Sequence, residues 1–151
     1  MISPQVDRKR VAVLESTFNL LISTEPLRSR VPDLAVCWRE TMVRDENDIL
    51  CSPPDLVVEV LSPSENKRRK LEDYARLAVP EVWIVSPEAQ HIEIWLAADN
   101  KMNLNRIIAE GTLEPCAFPR RKDFSPGNLA GIIPFVTVTC NSVLSLVDRL
   151  C

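Results

Sequence analysis

Three acids and two lysines stand where chemistry is possible. Glu59 lies inside "DLVVEVL" (55–61), a run of Leu and Val that reads as a buried strand. A carboxylate in such a place costs on the order of several kcal/mol unless it is paired, hydrogen-bonded or bound to a metal. Side chains alternate along a strand, so Asp55 shares the face of Glu59. Four residues at ~3.3 Å each nevertheless put their Cα atoms roughly 13 Å apart, too far to ligate one ion readily. Asp33, at the entry to "RVPDLAVCW" (30–38), is the better partner. Neighbouring strands run ~4.8 Å apart, so pairing of the two segments would converge Asp33 and Glu59 on one hard cation such as magnesium. A positive side chain is the other way to offset the charge, and the segment after the strand offers Lys67 and Lys70. At about 100° per residue, Lys67 falls within the arc of Leu71, Tyr74, Ala75 and Ala78 while Lys70 flanks it, which slightly prefers Lys67. The plainer reading is structural: Glu59 in an ion pair with a lysine or arginine, and Asp33 and Asp55 as turn or capping residues after prolines.

These side chains need a frame. "RVAVLESTFNLLIS" (10–23) has strand character with a break at Glu15 to Thr17, and Pro26 ends it. Residues 30–38 and 55–61 are short apolar strands, separated by a polar, acidic connection over 39–52. "SPSENKRRKLEDYARLA" predicts a helix over 64–78, capped by Ser62 or Ser64 and stopped before Pro80. "EVWIVSP" and "HIEIWLAA" predict a hairpin over 81–98, and "NLNRIIAEG" a further strand. Residues 114–130 read as a surface loop, "IIPFVTVTC" as a late strand and "NSVLSLVDRL" as a terminal helix. The order predicts one α/β (α+β) domain over 1–151, with the 64–78 helix packed on a largely antiparallel sheet.

Composition removes several alternatives. The 151 residues carry a net charge of −3, so no bulk basic surface serves nucleic acid and any such binding must use local patches. "KRRK" (67–70) and "PRRK" (119–122) are the two such patches, and a solvated surface run is the simplest account of either. The five cysteines form no CxxC pair and the single histidine, His91, has no second one to join it, which disfavours zinc and His-based catalysis. Cys37 and Cys140 sit in apolar runs and read as small core residues. No apolar run approaches the ~20 residues of a membrane span, and the first residues lack the layout of a secretory signal, so a cytoplasmic protein without a membrane partner is expected.

"RVPDLAV", "PPDLVVEVLSPS", "KLEDYARLAVPEVWIVSP" and "IEIW" occur in that order between Arg30 and Trp95. Together they resemble the hallmark segments of the Uma-two family, endonuclease-type proteins of the restriction-endonuclease-like, PD-(D/E)xK superfamily. The resemblance implies a mixed sheet flanked by helices and metal-assisted hydrolysis of DNA phosphodiesters. It implies that Asp33 and Glu59, with the Val60 carbonyl, hold magnesium or manganese. Leu61 stands where the superfamily strand has its lysine, and the resemblance implies a working lysine on the next helix, Lys70, with Tyr74. The resemblance thus favours Lys70 where the helical arc favours Lys67. DNA is the implied partner, and a homodimer would supply the two sites that cutting both strands requires. Only 32 residues precede Asp33, so the N-terminal helix usual in the family is expected to be missing or reduced, with Glu15 as the acid of that region. A catalytically inactive or truncated nuclease-fold protein, acting as a binding or regulatory module, is the alternative.

Overall fold

A computed structural model of the chain describes residues 10–109. Eight strands and one helix follow in the order β1 (Val11–Glu15), β2 (Leu20–Thr24), β3 (Leu27–Arg30), β4 (Leu34–Trp38), β5 (Leu56–Val60), α1 (Lys67–Arg76), β6 (Glu81–Ser86), β7 (His91–Ala98) and β8 (Lys101–Ile108). Six strands form one sheet in the order β1-β4-β5-β6-β7-β8, and β2 and β3 form a separate ribbon. Among the described strands of the large sheet only β5 and β6 run parallel. A parallel pair needs a crossover, and α1 supplies it. The architecture is therefore α+β with a mostly antiparallel sheet, as the sequence predicts.

The alternation of apolar residues sorts them onto two faces. Leu34, Val36, Trp38, Leu56, Val58, Trp83 and Val85 belong to one buried cluster. Ala35, Cys37, Val57, Val82 and Ile84 belong to the other, together with Leu71 and Tyr74 of α1 and Leu20 and Ile22 of the ribbon. Glu59 has the parity of Val57, so its carboxylate is directed to the face on which the helix lies. Cys37 is buried there, and burial, with the charge of Asp55 adding to it, pushes its thiol up to about 12. It is an inert core residue, as expected from its apolar run.

The helix is shorter than the 64–78 span the sequence suggests, and its cap is different. Asn66, not Ser62 or Ser64, is the N-cap, and its side chain accepts the Arg69 N–H at 3.1 Å. The two serines lie in the turn before it, where the Ser62 N–H donates to Glu65 Oε2 at 2.7 Å. At the other end Ala78 takes a left-handed φ of 56°. The Ala78 N–H reaches the Ala75 carbonyl and the Val79 N–H the Tyr74 carbonyl, the paired bonds of a Schellman stop. Ala78 is therefore exposed at the terminus and not on the buried face predicted for it. β3 is also absent from the sequence reading: "LRSR" has no apolar run, and its strand state comes from pairing with β2. The β7–β8 hairpin turns through Asp99 and Asn100, both with positive φ, as a two-residue type I′ loop requires.

The expected loop over 114–130, late strand, terminal helix, "PRRK" patch and Cys140 lie outside the described residues, as do the first nine residues; the described residues before Asp33 form β1, β2 and β3 and no helix. Among the described residues no helix is long and apolar enough to cross a membrane.

Candidate active site

β4 and β5 pair antiparallel, with Leu34 opposite Val58. Carried one residue further, this register sets Asp33 opposite Glu59. The ladder ends there, and the Asp33 side chain takes over: its Oδ2 accepts the Val60 N–H at 2.7 Å. A residue that follows a proline and precedes the strand thus uses its carboxylate to close the end of β5. The same bond holds that carboxylate beside Glu59. Asp33 keeps partial contact with solvent, whereas Glu59 is only 2 % exposed.

The helix completes the site. Lys70 and Tyr74 are one helical turn apart and project from the same face. Lys70 Nζ donates to Glu59 Oε2 at 2.7 Å, and the Tyr74 hydroxyl donates to Oε1. Lys70 also meets Glu65 Oε1 at 2.6 Å. Burial is the largest influence on Glu59 and raises its pKa. Bonds from Lys70 and Tyr74 oppose it, the Asp33 charge adds to it, and the carboxyl stays above its ordinary value. Burial pulls the Lys70 ammonium down, but its bonds to Glu59 and Glu65 prevail and raise it. Tyr74 is raised, first by burial and then by the Glu59 charge, so its hydroxyl keeps its proton and stays a donor.

The structure thus brings Asp33, Glu59, the Val60 backbone and Lys70 together. Asp55 is not among them. Its Oδ2 accepts the Trp38 N–H at 2.9 Å, the capping role considered for it from sequence. Lys67 points elsewhere too: its ammonium donates to Glu93 Oε1 at 3.0 Å and Oε2 at 3.1 Å. The helical arc drawn through apolar residues misleads here because the stripe beneath the ribbon is polar. Lys70, Asp73, Tyr74 and Leu77 follow helical spacing, and the first three are buried. Asp73 binds Arg28 at 2.7 and 2.9 Å and Arg30 at 2.6 Å, clamping the ribbon to the helix. Glu65 and this clamp escape the sequence reading. The S-x-x-E spacing of Ser62 and Glu65, a capping-box signature, is the signal that points to the first. Glu15, at the end of β1 opposite Leu34, is exposed.

Two carboxylates and a backbone carbonyl form a hard oxygen donor set. Among the described residues no group of three or more His, Cys, Asp or Glu side chains gathers to hold a metal. Magnesium needs no such group, since it commonly takes one or two carboxylates and fills the remaining positions with water and phosphate oxygens. The donors present therefore fit a magnesium-like ion. A cleft of about 540 Å³ opens beside Lys70, lined by Arg28, Arg30, Glu65, Asn66 and Arg69.

The fold matches that of a solved structure. The crystal structure of "a putative nuclease belonging to DUF820 from Anabaena variabilis ATCC 29413" superposes with a TM-score of 0.61 at 16 % identity, over 95 % of this chain and 74 % of that one. The family assignment comes from the sequence itself: residues 2–121 match the model of the Uma2 family, described as "Putative restriction endonuclease". The chain belongs to that family. No curated protein matches it.

Proposed function

We propose that the protein is a cytoplasmic, metal-dependent endonuclease that hydrolyses DNA phosphodiester bonds at the Asp33–Glu59–Lys70 centre. The observation that carries this reading is the bond from the Val60 N–H to Asp33, which fixes a second carboxylate beside buried Glu59. Asp33, Glu59 and the Val60 carbonyl would hold magnesium or manganese. Such an ion, when bound, neutralises charge on the scissile phosphate and lowers the pKa of water.

The chain's own residues have distinct tasks. Tyr74 donates to one oxygen of Glu59 and sets the carboxylate's orientation. Lys70 has two acidic partners, so an ammonium drawn toward a phosphate keeps Glu65 as its anchor when it yields Glu59. It serves to orient the attacking water or to stabilise charge on the phosphate oxygens. Arg69 and the outer faces of Arg28 and Arg30 line the adjoining cleft and offer donors to neighbouring phosphates.

The test is manganese- or magnesium-dependent cleavage of duplex and single-stranded DNA. Glu59→Gln and Asp33→Asn are each expected to lower the rate by about 100-fold or more. Background nicking identical in wild type and Glu59→Gln would refute the assignment. One observation favours a second reading, a catalytically silent binding module: both oxygens of Glu59 already accept hydrogen bonds from the protein. Calorimetry separates the two. Normal folding with no detectable manganese binding supports the silent module.

A further inference from the structure

A second groove lies on the other flank of α1, between the helix and the β7–β8 hairpin, and encloses about 770 Å³. Leu71, Met102 and the indole of Trp95 provide apolar surface, while Lys67, Arg68, Arg76 and Lys101 provide positive charge against one acid, Glu72, which is bonded to Arg68 at 2.9 Å. Trp95 differs from the other two tryptophans of the chain. Trp38 and Trp83 are each 2 % exposed, whereas Trp95 is only half-buried. Its pose is fixed at the polar edge, where Nε1 donates to Glu93 Oε2 at 2.9 Å. Lys67, bonded to the same Glu93, reaches over the ring at 5.9 Å, the outer limit of a cation–π contact. Arg76 and Lys101 are exposed and make no ion pair among the described residues. The groove thus joins a held aromatic face to two uncommitted cations.

We propose that this groove is a stacking subsite for a single-stranded nucleic-acid flank, with one base on Trp95 and adjacent phosphates on Arg76 and Lys101. The choice of nucleic acid rests on the endonuclease reading. The groove itself adds the strandedness. A base can lie on an aromatic face only when it is unstacked from its neighbours, and a positive groove with aromatic platforms is the usual solution for single strands. Leu71 follows Lys70 in the helix, but the width of α1 separates the groove from the centre. The subsite therefore selects substrates with an unpaired segment set off from the scissile phosphate by that width.

The experiment uses the full chain without metal, so that no cleavage occurs. Labelled oligothymidylate is titrated against wild type, Trp95→Leu and the double variant Arg76→Gln/Lys101→Gln, with an abasic phosphodiester strand as the comparison. Because Trp38 and Trp83 are buried, quenching of tryptophan emission reports on Trp95. Oligothymidylate is expected to quench it, and the abasic strand is not. Trp95→Leu is expected to weaken oligothymidylate binding by about ten-fold or more with an unchanged circular dichroism spectrum. The double variant is expected to flatten the slope of log affinity against log salt by about 0.7 per lost phosphate contact. Equal affinities of wild type and Trp95→Leu, absence of quenching, or abasic binding as tight as oligothymidylate would overturn the proposal. Should Trp95→Leu fail to fold, the wild-type contrast between the two strands decides. Cleavage assays keep the two readings apart. Manganese-dependent cutting with KM unchanged in Trp95→Leu or the double variant removes the subsite and leaves the nuclease. Trp95-dependent binding without any cutting does the reverse.

Discussion

Glu59 and Glu93 form a natural experiment inside one sheet. Each interrupts an apolar strand, "VVEVL" in β5 and "HIEIW" in β7. The register sets both opposite Ile84, from either side, so they lie on one row about 10 Å apart on the face beneath α1. Each is met by a lysine from the first turn of that helix, Lys70 for Glu59 and Lys67 for Glu93. Yet their titration moves in opposite directions. Burial is the largest influence on both and raises both. At Glu93 the bonds from Lys67 and Trp95 outweigh it and hold the carboxyl below its ordinary value. At Glu59 they do not, and the Asp33 charge adds to the rise. The lysines differ in the same sense: the Lys70 side chain is 10 % exposed and that of Lys67 39 %. Depth and a second carboxylate, not residue type, separate a satisfied ion pair from a site whose negative charge is under-compensated.

Removing the lysines is the strongest way to break this comparison. Lys70→Met strands a buried carboxylate next to another one and is expected to cost about 3–5 kcal/mol of stability. The loss should shrink as pH falls, because Glu59 then accepts a proton. Lys67→Met removes a half-exposed partner and is expected to cost about 1 kcal/mol or less. Urea unfolding of both variants measures the difference. Equal losses would mean that the two pairs are the same structural device.

The carboxylates supply a subtler test through pH. A carboxyl raised on folding binds a proton more tightly in the native state. Its stabilising contribution is complete below the ordinary carboxylate value and is lost as pH rises through the raised value. A lowered carboxyl contributes above the ordinary value and loses that contribution as pH falls through the lowered one. Glu59→Gln should therefore remove a downward slope of stability with rising pH just above the ordinary Glu range, and gain relative to wild type toward neutrality. Glu93→Gln should remove an upward slope just below that range, so its acid limb flattens. Chemical denaturation at a series of pH values reads both. Slopes of the same sign would overturn the contrast.

The sequence shows part of this and hides the rest for physical reasons. Apolar alternation is local, so β4, β5, β6 and β7 and the two faces are legible from residues 34–38, 56–60 and 81–98. Asp33 meets Glu59 because adjacent strands set a short, fixed spacing, and that too follows from the pattern. The choice between Lys70 and Lys67 does not. A wheel built on apolar residues cannot see that the ribbon of β2 and β3 brings Arg28 and Arg30 down on Asp73, and a polar seam across the helix follows from that contact. β3 itself carries no strand signal in "LRSR". The same blindness applies to Glu93, whose "HIEIW" looks as suspicious as "VVEVL". Only the partners that folding delivers, Lys67 and Trp95 to Glu93 and a second acid to Glu59, tell the two apart.

The smallest effect sharpens the comparison at its shared support. Asn66 caps the turn that carries both lysines, and Asn66→Ala is expected to cost about 1 kcal/mol. The two pairs should feel that loss unequally. Lys67 is the first helical residue and is held outside the cap only by Glu93 and the Trp95 face. Lys70 is anchored from below by Glu59 and from the side by Glu65, and its N–H reaches the Asn66 carbonyl, which alanine retains. Fraying of the first turn therefore frees Lys67 before Lys70. Double-mutant cycles should give a coupling of about 0.5 kcal/mol between Asn66→Ala and Lys67→Met and almost none between Asn66→Ala and Lys70→Met. The opposite ranking would show that the cap, and not the buried carboxylate, holds Lys70 at the centre.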